Sequence, residues 1–116
     1  MQTNSLSKNT TYKDNRPNVE MIFETPFSKE MRISLKKGQE MKEHKTPFPI
    51  VVELFQGKIE FGAEGQTLQL ETGDILTLEG EVPHNLTAYE DSIVRLTISK
   101  QDKPERVQEV SENSAK

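Results

Sequence analysis

All six glycines of the chain, Gly38, Gly57, Gly62, Gly65, Gly73 and Gly80, lie between residues 38 and 80, each between short runs in which apolar side chains recur at every second position. Glycine supplies the positive φ that tight turns demand, and a period of two is the signature of β-strands. The clearest run is residues 92–98, where Val94, Leu96 and Ile98 share one face and Arg95 and Thr97 the other. Leu68 with Leu70, and Ile59 with Phe61, repeat the alternation. The stretch IVVELF, residues 50–55, is apolar on both faces except at Glu53, which predicts a strand covered on two sides. No segment shows a pronounced amphipathic helix, and there is no internal repeat. Many short strands joined by frequent turns predict an all-β barrel or sandwich, since a flat sheet of this length would leave its edges exposed. A jelly roll fits the length.

The rest of the composition narrows the function. A chain of 116 residues is expected to form a single domain with one core. A net charge of -4, with both signs intermixed, offers no basic stripe for a phosphate backbone, so nucleic-acid binding is not expected. The absence of cysteine removes disulfides, thiolate zinc sites and cysteine nucleophiles. No run has the length of a signal-peptide core or a membrane span, so no membrane partner is expected and the expected location is cytoplasmic. Residues 1–18 are too polar to offset the entropy of ordering them and are expected to be a flexible N-terminal segment. Residues 19–100 form the expected barrel. Residues 101–116 form a polar C-terminal tail, either frayed or carrying a short helix after Pro104.

Gly38, five residues, His44, and then Gly57 reproduce the frame G-x5-H-x-H-x3-E-x6-G, and Gly73-Asp74 followed by Val82-Pro83-His84 falls in the frame G-x5-P-x-G-x2-H-x3-N. In these residues the chain resembles the small single-domain cupins of the RmlC-like superfamily, over roughly residues 30–98. The resemblance implies a cupin-type jelly-roll β-barrel, a double-stranded β-helix. It also implies an inward-facing metal site, in which His44 and His84 stand at the first and last ligand positions. Thr46 occupies the place of the second histidine and Ile50 that of the glutamate. In the second motif Glu79 replaces the proline, Glu81 the glycine and Ala88 the asparagine.

His44 and His84, the only histidines of the chain, are therefore the candidate metal ligands, with Thr46, Phe48, Ile50 and Val52 expected around the pocket. The implied cofactor is one weakly held divalent transition metal, Zn, Fe, Ni, Mn or Cu, because two imidazoles without a carboxylate fall short of the usual three protein ligands. Strand parity sets Glu43 and Glu53 on the opposite faces from His44 and Ile50 unless a bulge intervenes, whereas Glu79 or Glu81 could swing over the barrel mouth. A small polar ligand bound by the two histidines is the first functional reading. The second is a non-enzymatic sensor or interaction protein that uses the barrel, without metal, as a ligand pocket or dimerisation scaffold. Phe23 and Phe27 predict an N-terminal strand of the kind that in small cupins crosses to a partner subunit, and a homodimer would cover the outer side of residues 50–55.

Overall fold

The computed structural model describes residues 1–115. Among the described residues nine strands precede one helix: β1 (Asn18–Glu24), β2 (Ser28–Leu35), β3 (Glu40–His44), β4 (Ile50–Gln56), β5 (Lys58–Ala63), β6 (Gln66–Glu71), β7 (Ile75–Leu78), β8 (His84–Ala88), β9 (Ser92–Ser99) and α1 (Pro104–Asn113). The strands form a five-stranded sheet in the order β1-β2-β9-β4-β7 and a four-stranded sheet in the order β3-β8-β5-β6. Every pairing is antiparallel. The all-β architecture expected from the period of two is thus observed.

The alternation sorts side chains as the pleat requires. Ile50, Val52 and Leu54 of β4 and Val94, Leu96 and Ile98 of β9 are buried, and across the interior they meet Ile59 and Phe61 of β5 and Leu86 of β8. Leu68 lies opposite Phe61 but on the edge strand β6, and it stays 42% exposed. The outward side of β4 is more open than a doubly covered strand: Val51 and Phe55 are half-buried, and Glu53 accepts a 2.8 Å hydrogen bond from Arg95 Nε. Arg95 also donates to Glu30, which accepts from Thr97 as well, so the outer face of this sheet is knitted by charge rather than by apolar cover.

One turn depends on glycine absolutely. Gly57, between β4 and β5, has φ +109°, and a Cβ there would lie 2.2 Å from Ser92 Oγ and 2.7 Å from Ser92 Cα. The β4–β5 connection can be this tight only because no side chain intervenes.

The two ends of the chain both pack on the barrel. Residues 1–17 contain no helix or strand, yet Arg32 of β2 reaches out to donate to the carbonyls of Ser5, Lys8 and Asn9, and Asn18 donates to that of Thr11. The polar tail holds a helix after Pro104, the second of the two alternatives for this segment. Pro104 suits the first turn of a helix, where its missing N–H costs nothing, and Glu105 suits the positive end of the helix dipole. Helix α1 spans the seam between the edge strands of the two sheets. Gln108 donates to Val19 O of β1 and Ser111 to Pro17 O, while Ser114 Oγ accepts from the backbone N–H of Lys42 in β3.

Candidate functional site at the histidine end of the barrel

His44 closes β3 and His84 opens β8, and the two are direct cross-strand partners. A register shift lies between Met41 and His44. Three residues apart, these two side chains would point to opposite faces of a regular strand; the bulge lets both face the interior, with Lys42 and Glu43 exposed between them. The rings meet edge to face, with centroids 4.3 Å apart and planes at 61°. His84, 6% exposed, also stacks on Phe61 at 5.9 Å and 14°.

Both rings are anchored in the same way. His44 Nδ1 lies 2.6 Å from Lys42 O, and His84 Nδ1 lies 2.9 Å from Val82 O, in each case the carbonyl two residues upstream. A carbonyl oxygen can only accept, so each Nδ1 carries the proton and each Nε2 is left with the lone pair. Burial pushes the pKa of both imidazoles below the ordinary histidine value, outweighing the opposing effect of the carbonyl partners; for His44 the neighbouring His84 lowers it further. Two neutral rings thus present two basic nitrogens in one enclosed space.

Small chambers flank the pair. One is lined by His44, His84, Ile50, Val52 and Phe61 among other apolar groups; the second by His44, Thr46, Ile50, His84, Asp102 and Val107 among others. Five of the six residues expected at the site, His44, Thr46, Ile50, Val52 and His84, are brought together here. Phe48 is not: it is half-buried in the loop before β4 and lines neither chamber. That loop is docked against Gly80, where a Cβ would fall 2.3 Å from Pro47 O, and the second chamber is walled instead by Arg106, Val107 and Val110 of α1. Neither does Glu79 or Glu81 swing over the mouth. Both are exposed, and Glu81 pairs with Lys45 at 3.2 Å. Glu43 and Glu53 stay outside, as parity predicts.

The residues missed by sequence reasoning are Asp102 and Arg106. Asp102, 2% exposed, accepts hydrogen bonds from Thr46 Oγ1, the backbone N–H of Lys103 and Arg106 Nε. Burial alone would raise its pKa, but these hydrogen bonds and the Arg106 charge prevail and hold it below the usual aspartate value. Thr46, standing where the resemblance calls for a histidine, is therefore a donor to a buried carboxylate. Among the described residues no group of three or more His, Cys, Asp or Glu side chains is arranged to hold a metal ion. A two-imidazole donor set is chemically suited to a borderline transition metal and leaves most of its coordination sphere to outside ligands.

No protein-family model matches the chain, and a search of curated proteins finds no match. Solved structures are similar over most of their length. An RmlC-like cupin from Desulfovibrio desulfuricans is 24% identical with a TM-score of 0.79, over 85% of this chain and 96% of that one. The fold is that of a cupin. An RmlC-like cupin from Shewanella frigidimarina (19% identity, TM-score 0.75, 89% and 95% covered) has the same cupin fold. So does an uncharacterised Klebsiella pneumoniae protein with a double-stranded β-helix domain (19% identity, TM-score 0.77, 89% and 94% covered).

Proposed function

We propose that this cupin fold binds a divalent transition metal weakly, or a small polar ligand, through Nε2 of His44 and His84. The observation that carries the reading is the shared Nδ1 anchor: two neutral imidazoles, His84 buried and His44 half-buried, held by backbone carbonyls with their lone pairs free, as metal-ligating histidines commonly are. A bound metal would polarise an oxygen-bearing ligand. The test is titration of metal-free protein with Zn2+ and Ni2+ followed by elemental analysis. Wild type should retain a substantial fraction of one equivalent, and His44→Ala and His84→Ala should each retain less than roughly a tenth. Equal uptake by all three proteins would refute the reading.

The apolar lining of the inner chamber supports a second reading, a metal-free ligand pocket in a sensor or interaction protein. It predicts a ligand-dependent rise in melting temperature that a chelator leaves unchanged. In either case we propose a homodimer, supported by the exposure of Phe27 (77%) and Ile75 (60%) at the five-stranded sheet. Light scattering that gives the monomer mass would remove it.

A further inference from the structure

Each chamber beside the histidine pair has a volume of about 20 Å3, room for about one water molecule. An ion fits there, but an organic ligand does not. The wall that stands between the rings and a larger guest is α1, whose Val107 lines both chambers and whose Arg106 and Val110 line the outer one.

This wall is attached differently from the rest. A helix of ten residues is marginal by itself, and α1 buries only Val107 and Ser111. Its N-cap residue, Lys103, makes no side-chain cap. The helix is held instead at discrete polar points: Gln108 to Val19 O, Ser111 to Pro17 O and Ser114 to Lys42 N on the seam, and the Asp102 cluster at its N-terminal end. Asp102 ties the helix to the site itself, because its partner Thr46 is two residues beyond His44 in the loop after β3. The strands beneath are joined by hydrogen-bonded ladders and supply the rest of the apolar core, to which α1 adds Val107, with Val110 packed against it. An element with few buried apolar groups and a few breakable polar ties is the first to open.

We infer that α1 is a lid over the histidine pair, pinned at its N-terminal end by the Thr46–Asp102–Arg106 cluster and along the seam by Gln108, Ser111 and Ser114, and that its opening admits the polar ligand. The inference rests on reading His44 and His84 as the binding site.

His44 and His84 are the only histidines, so diethyl pyrocarbonate, which acylates neutral imidazole, reports on this site alone, each ring being resolved by peptide mass. Thr46→Val and Asp102→Asn should accelerate acylation of buried His84 roughly tenfold or more, while hydrogen-exchange protection of β2 and β9 stays at the wild-type level. Should Asp102→Asn fail to fold, Ser111→Ala, which loosens the opposite flank of the helix, carries the same expectation. Equal rates in wild type and variants, or acceleration only in step with lost protection of β2 and β9, would overturn the lid. Parallel titration with Co2+ separates this outcome from failure of the metal reading. Co2+ uptake with unaltered acylation sinks the lid alone, and faster acylation without Co2+ uptake sinks the metal site alone.

Discussion

The apolar interior and the histidine end of the barrel are parts of one cavity built on opposite principles. Around Phe61, Leu54, Met31 and Leu35, each at most 1% exposed, position is decided by volume: strands alternate, side chains interdigitate, and any residue of the right size and polarity would serve. Around His44, His84, Thr46 and Asp102, position is decided by hydrogen-bond direction: each Nδ1 and the Thr46 hydroxyl has a named partner a short distance away. Stability should therefore reside mainly in the first region and chemistry in the second. Phe61 joins them, packed in the core yet stacked on His84.

The largest expected effect breaks the first region. Phe61→Ala should destabilise the fold by about 3–5 kcal/mol in urea unfolding, through lost burial and the cavity left behind. A cost below that of any change at the histidine end would abolish the contrast.

Next comes Asp102→Asn, with an expected cost of about 1.5–3 kcal/mol from weakened charge-assisted hydrogen bonds. Because the folded pKa of Asp102 lies below its unfolded value, its stabilisation is complete above about pH 4 and is lost as pH falls through the folded pKa. Acid unfolding of Asp102→Asn should lack that component.

The smallest effect concerns the rings. Their folded pKa values lie below the unfolded value of about 6.5, so between the two the unfolded chain binds more protons. Wild-type stability should fall as pH drops below about 6.5, by at most about 1.4 kcal/mol per pH unit for each ring. The doubly substituted protein, His44→Ala with His84→Ala, should show no such slope between pH 5 and 7.

The contrast also explains what could be read from sequence. The interior was legible because periodicity and glycine turns record which side chains face inward, and the frame Gly38, His44, Gly57 located the paired histidines. The bulge between Met41 and His44 leaves no trace in composition, although it aims His44 inward. Helix α1 was obscured because its inner stripe is Val107, Val110, Ser111 and Ser114, correctly spaced for a helix but half serine, and so too weak as a hydrophobic pattern. The usable signal was Pro104 followed by Glu105, a start without a strong stripe behind it. With α1 only one of two alternatives for its segment and its docking site unspecified, Asp102 could not be assigned to Thr46, fifty-six residues away.

The most direct test of two imidazoles sharing an enclosed space is 15N-histidine NMR at pH 7.5, where the chain yields only two ring patterns. Both should be the neutral form protonated at Nδ1, with cross-relaxation between the rings and a joint shift of the two Nε2 resonances on adding Zn2+. Either ring protonated at Nε2, or no cross-relaxation between them, would contradict the account.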